Sequence, residues 1–373
     1  MIPYCLTRLL YAVDEVYLSL LTALLERRDL DECYYWAAEI WASGFDLIAF
    51  AWTIYLDFYA ELNPRLEGYI RRKGSEKGGF KAACGVIRNL HRGRPTATVF
   101  VARQAHLAGV HNLLERGQVV AMPGFPETHH AWLSAIGQGN MAAAASHLYA
   151  LSTTWWPESL FRVLVEYHVQ IRGASVKAPA AENYWRNRPG HDDIHHIMAI
   201  MVGMEHSPDE LEMRRVFVAP TDDALVHLND QVPFGRPDKR LSRARRYGID
   251  PGIGAFALAR NKLGDPLRAL RMHWEYFAYR CPLWRERLHE SGGRPNDVTG
   301  HVDFRSDEGA EAFYELHGLE PDEQPMYLQA LGTSHVGRES AASWLERTFG
   351  TGDLAWNLPD SWKFTVEIEG RSK

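Results

Sequence analysis

Apolar residues recur at helical spacing over most of the chain's first 70 positions. Leu6, Leu9, Leu10, Val13, Tyr17, Leu20, Leu21 and Leu24 fall on one stripe, with charges mostly between them. Asp29 and Glu32 resemble a capping box that opens a second helix, and Ser43-Gly44 supplies a stop. Phe45, Ile48, Trp52, Tyr55, Leu56 and Tyr59 mark a third helix, and Asn63-Pro64 reads as the cap and first position of a fourth. Short turns between successive helices predict antiparallel neighbours.

Further along, the spacing predicts helices over 127–136, 141–151, 158–171 and 190–205, and two aromatic-rich helices within 265–289 parted at Cys281-Pro282. Thr96 to Ala102 and Arg215 to Val218 read as short strands. Trp362, Phe364, Val366 and Ile368 alternate with polar residues as a C-terminal half-buried strand should. The fold class expected is mainly α, packed helical hairpins with a few short strands. Three segments are expected: 1–95 with a basic end, 96–290, and an acidic 291–373, joined at the Ser291–Asp297 linker.

Composition narrows this picture only modestly. Hydrophobic residues make up 46% and charged residues 24% of 373 residues, ordinary globular usage that argues against disorder. Twelve Trp, 16 Tyr and 15 Phe suit helix–helix and subunit contacts, since large rings bury much area each. Net charge is -6, but from Gly292 onward fifteen acids face seven bases, which leaves the preceding residues slightly basic. Such asymmetry favours contact with a partner.

The apolar run Leu47–Leu56, bounded by Asp46 and Asp57, falls short of the roughly 20 residues a bilayer span needs. Neither a secretory leader nor a CxxC pair is visible, so an intracellular protein without a disulfide framework is expected.

His191-Asp-Asp-Ile-His-His196 is the most suggestive chemical string. On a helix, His191 and His195 lie four apart and suit one metal ion, with Asp192 as a further ligand type. Periodicity places His191 and His195 at the border of the buried face, and Asp192 with His196 away from it. An adjacent His-Asp resembles the metal-dependent HD phosphohydrolases, with His168 upstream and Asp222 or Asp230 downstream as partners. A dense histidine run in a chain with 17 of them is more often a capped, solvated helix start.

Gly252-Ile-Gly-Ala-Phe-Ala257 matches GxGxxA without the preceding apolar strand that a dinucleotide fold requires, so it reads as a turn and no cofactor is expected. Residues 65–94 hold nine bases against two acids, among them Arg71, Arg72, Lys73, Arg88 and Arg92. Residues 236–246 hold six bases, including Arg240, Arg243, Arg245 and Arg246, against Asp238. Together they suit phosphate contacts with nucleic acid. Without an element to read bases they suit better a solvated loop or docking onto acidic surface such as this chain's own C-terminal region.

Asp29-Leu-Asp-Glu-Cys-Tyr-Tyr-Trp-Ala-Ala-Glu-Ile-Trp-Ala-Ser-Gly-Phe45, Leu62-Asn-Pro-Arg-Leu-Glu67 and His273-Trp-Glu-Tyr-Phe-Ala with Pro282-Leu-Trp-Arg-Glu-Arg287 are similar to segments of uncharacterised proteins from large nucleocytoplasmic DNA viruses. The resemblance implies a protein of the infected cell or the virion. It carries over no functional residues. The function expected is a non-enzymatic structural or assembly protein, with protein partners or self-association. The alternatives are a metal-dependent phosphohydrolase using His191, Asp192 and His195, and a nucleic-acid-associated protein using the basic clusters.

Overall fold

The computed structural model describes residues 4–75, 79–107, 113–172, 193–206, 210–212, 216–229, 249, 254–317 and 339–350. Among them helices dominate, and the one sheet is a two-stranded hairpin, so the mainly α expectation is met. No helix among the described residues is long and apolar enough to cross a membrane.

The N-terminal stripes form α1 (Val13–Leu25), α2 (Leu30–Ala42) and α3 (Leu47–Phe58), followed by α4 (Leu66–Ser75) and α5 (Gly79–Arg92). Asp46 caps α3 by accepting from the Ala49 amide at 2.8 Å, as its position before the apolar run suggests. Asp29 caps α2 by position alone, without a side-chain hydrogen bond, while Glu32 pairs with Arg28 at 3.3 Å. Asn63 is no cap. It is buried, and its amide donates to the Tyr59 and Arg94 carbonyls, tying the end of α3 to the end of α5.

The predicted strand at Thr96–Ala102 is instead the start of α6 (Thr98–Leu107). Val99, Phe100, Val101 and Ala102 are all buried. A continuous apolar run looks the same for a buried strand as for a helix buried on several sides. Next come α7 (His130–Gly137), α8 (Met141–Ser152), α9 (Pro157–Arg172), α10 (Asp193–Gly203) and the short α11 (Asp223–Asn229). Val216–Val218 has no regular secondary structure, so the second internal strand is absent there as well.

Pro266–Ala278 (α12) and Pro282–Glu290 (α13) part at Cys281-Pro282 as the sequence predicts. The expected linker at Ser291–Asp297 is occupied by structure: β1 (Arg294–Asn296) pairs antiparallel with β2 (His301–Asp303). Asp307–His317 (α14) and Ala341–Phe349 (α15) complete the described elements. Gly254–Phe256 is one 3-10 turn. The C-terminal strand expected at 362–368, with Gly252, lies outside the described residues.

Two apolar cores result. The larger draws residues from Leu9 to Leu345, so all three expected segments, 1–95, 96–290 and 291–373, contribute to it. The smaller joins Leu6 to Trp274, Ala278, Cys281, Trp284, Leu288, Val302 and Phe313. Trp274 and Trp284 meet edge to face at 5.1 Å and are almost fully buried, so the aromatic run is packing and not a ligand cage. Residues 6–8 stitch the cores together. The Leu6 amide donates to the Phe277 carbonyl at 2.9 Å, and Trp284 Nε1 donates to the Arg8 carbonyl at 3.1 Å.

Gly44 ends α2 with φ +79°, and Pro282 stands where its side chain would be, 2.8 and 2.9 Å from an ideal Cβ position. A larger residue here is both strained and obstructed.

Candidate functional site

Two of the ionisable groupings among the described residues bear on the sequence expectations, one inside and one outside. The internal one lies where α3, α6 and α10 pack against one another. Asp57, 3% exposed, projects from the end of α3. Arg103 of α6 grips it with both arms, Nε to Oδ1 at 2.8 Å and Nη2 to Oδ2 at 2.5 Å. His195 of α10 brings Nε2 to 2.9 Å from Oδ1. Burial alone raises a carboxyl pKa, but Arg103 and His195 outweigh it and hold Asp57 at about 2. The carboxylate is therefore charged, forked by a guanidinium and closed off from solvent.

The same seam continues past the end of α3. Glu61 accepts from Thr96 Oγ1 at 2.5 Å and meets His206 Nε2 at 2.7 Å. That hydrogen bond is the main cause of the raised His206 pKa, partly offset by burial. His168 of α9, wholly buried, has Nε2 at 3.9 Å from Glu205 Oε1. Histidine–carboxylate pairs thus occur within α10 and just beyond its end.

The histidine string fits the sequence expectation only in part. His195 is 4% exposed and is packed inside, not at the border of the buried face. His196 is half-buried beside Trp52, with ring centroids 6.3 Å apart. His191, Asp192 and Asp230 lie outside the described residues. Asp222 is not beside the string: it is a surface residue paired with Lys81 at 2.7 Å. Among the described residues, no group of three or more His, Cys, Asp or Glu side chains is arranged to hold a metal ion.

Sequence reasoning missed Asp57 and Arg103 and set His195 at a border; for the last two the signal was register. His195, Met198 and Val202 share the i, i+3, i+7 face of α10, and Val99 and Arg103 are four apart on α6. A charged residue in phase with an apolar stripe points inward, and when buried it needs a partner.

The external place is the α4–α5 hairpin. Arg65, Arg72, Lys81, Arg92 and Arg94 are exposed, and Arg71, Lys73 and Arg88 are half-buried. Arg71 reaches Glu67 at 3.6 Å, while Arg72 and Lys73 stand 5.8 and 6.0 Å from the Tyr69 ring centre. Across this hairpin lies the stretch before α11. Asn89 reads the backbone of Val218 twice, donating to its carbonyl at 2.9 Å and accepting from its amide at 3.1 Å. Arg88 donates to the Ala219 carbonyl at 3.3 Å, Phe217 stacks on Tyr69 at 4.6 Å, and Asp222 closes on Lys81. Glu212 accepts from the Arg94 amide at 3.1 Å.

Of the first basic cluster, Lys81 pairs with Asp222 and Arg88 donates to the Ala219 carbonyl. Arg240, Arg243, Arg245 and Arg246 lie outside the described residues.

Burial pushes the thiols of Cys5 and Cys281 up to about 11 and that of Cys33 up to about 12, and Cys84 is raised further by the same cause. All four are buried and free, which removes them as nucleophiles near neutral pH. No protein-family model, curated protein or solved structure matches this chain.

Proposed function

We propose that the chain is a non-enzymatic structural or assembly protein, and that the resemblance to large DNA virus proteins extends this to a virion or minor capsid component. The observation that carries the reading is the closed Asp57–Arg103–His195 cluster. A general acid or base must face a substrate, with a pKa near the working pH. Asp57 instead faces Arg103 and His195 inside a helix junction and is held at about 2. These groups brace three helices.

The surface supports the same reading. Trp156 is 81% exposed just before α9. Tryptophan is the side chain most enriched at interface hot spots, and leaving one in water forgoes about 2–3 kcal/mol of burial.

Sedimentation velocity across a concentration series tests the proposal. Concentration-dependent association that weakens in Trp156→Ser is the expected result. A monomer at every concentration would sink it. Elemental analysis addresses the competing reading: a stoichiometric metal that disappears in His195→Ala would put the phosphohydrolase first.

A further inference from the structure

Two histidines join the sheet to its neighbouring helix. His301 of β2 and His273 of α12 bring their ring centres to 3.8 Å with a tilt of 46°. The helix is interrupted at this residue, since His273 has φ -148° and ψ 25° inside an otherwise helical run. Helix breaks usually mark a proline, a glycine or an inserted side chain, and past Pro266 α12 has neither proline nor glycine. The break falls where the helix meets the hairpin. His301 is exposed and His273 half-buried, so protons from solvent reach the pair.

The geometry is that of a stack and not of a metal site. Two imidazoles on one tetrahedral ion, with Zn–N of about 2.0–2.1 Å, hold their ring centres about 5 Å apart. Neutral rings stack, and a single proton turns the contact into a cation on a ring. A second proton places two like charges in contact, where they repel.

The surrounding groups decide how that charge is borne. On α12, Glu275 interacts with His301 and Arg268 with His273. From α14 the Tyr314 hydroxyl donates to Glu275 at 3.2 Å. On the hairpin, Asp303 lies two positions from His301 on the same face, with Arg294 opposite it, and accepts from Asn296 at 2.8 Å. Asp297, in the turn, accepts from the Tyr276 hydroxyl of α12 at 3.0 Å. A charge on His301 is therefore offset by Glu275, whereas a charge on His273 meets His301 and Arg268. Burial first, then His301, holds the His273 pKa below its usual 6.5, with the Met272 backbone working the other way. Burial also raises the Glu275 pKa, so acid removes the carboxylate that offsets His301.

We propose that the His273–His301 stack is an acid-operated latch: charging both rings parts β2 from α12 and opens the rim of the smaller core. Trp274 follows His273 and Val302 follows His301, and both belong to that core, so parting the rings bares apolar surface. The sign follows from His273. Its proton is disfavoured in the folded chain, so the contact is complete above about pH 6.5 and weakens as pH falls below that value. The hairpin is closed at neutral pH and open in mildly acidic surroundings.

Hydrogen exchange on the full chain, read by mass spectrometry at about pH 7.5 and about pH 5.5 and corrected for the intrinsic effect of pH, tests the latch. Protection across residues 294–303 should fall about tenfold or more at the lower pH, while α1 keeps its protection. His301→Gln, a neutral change at an exposed position, should make the hairpin's protection independent of pH. In histidine-labelled protein, the His273 ring signal should titrate with a midpoint roughly half a pH unit or more higher in His301→Gln than in wild type.

Equal protection of 294–303 at the two pH values in wild type overturns the proposal. So does a loss that α1 shares, because that is acid unfolding of the whole molecule. A loss that persists in His301→Gln, or a His273 midpoint that this change does not move, overturns it as well.

Discussion

The buried seam at α3, α6 and α10 and the crossed face of α5 use the same materials, a carboxylate against nitrogen cations, to opposite ends. Asp57 and Arg103 have side chains 4% and 18% exposed, whereas Asp222 and Lys81 stand at 78% and 50%. Inside, the carboxylate has lost its water, and removing Arg103 strands it. Outside, water replaces either partner at almost no cost. The first arrangement is permanent structure, and the second is a contact the molecule can release. Distance alone does not separate them, since both contacts fall below 3 Å.

The sharpest way to break the comparison is Arg103→Ala. It leaves a buried carboxylate held only by His195, and urea unfolding should show a loss of about 3–5 kcal/mol. A loss below about 1 kcal/mol would place the seam in the same class as the surface pair. His195→Ala comes next, at about 1–3 kcal/mol, because it removes one of two buried partners of Asp57. The sequence alone, placing His195 at a border, predicts about 0.5 kcal/mol or less. The same unfolding curve therefore measures what burial adds.

Acid should act on the seam as well. Asp57 has its pKa depressed on folding, so its contribution is complete above about pH 4 and is lost as pH falls toward 2. Stability followed from pH 5 to pH 2 should drop in that window, and Asp57→Asn should flatten the drop. His206 acts with the opposite sign. Its pKa is raised on folding, so the Glu61–His206 contribution is full below about pH 6.5 and fades as pH rises through the folded value. His206→Ala should remove a small stability loss on the alkaline side of neutrality. The smallest effect belongs to Lys81→Ala, about 0–1 kcal/mol with marked salt dependence. A salt-insensitive loss larger than Arg103→Ala would reverse the assignment.

Much of the helical frame was legible in the sequence because its signals are local. The stripe from Val13 to Leu24, the stop at Ser43-Gly44 and the break at Cys281-Pro282 depend on neighbours within one or two turns. Thr96–Ala102 was illegible for a physical reason: burial on several sides erases periodicity, and only the tertiary surroundings distinguish helix from strand. Asp57 looked like the polar end of an apolar run, although it is the centre of the buried seam. Its partners lie 46 and 138 positions away, a separation no local pattern reports. The contacts of Asn89 with Val218 are hidden in the same way, because one side of the match is backbone and has no letter in the sequence.

Residues 6–8, which join the two cores, impose an order on how this molecule comes to exist. Leu6 and Arg8 are bonded to Phe277 and Trp284, roughly 270 positions later in the chain. At about 5–20 residues added per second, the ribosome needs about 15 seconds to a minute to produce those partners. Leu6 is 2% exposed in the finished protein and waits in water, or under a chaperone, throughout that interval. The α1–α2 hairpin is complete long before then. Residues 6–8 therefore settle late, and a nascent chain stalled before Phe277 leaves Leu6 undocked beside helices that have already formed.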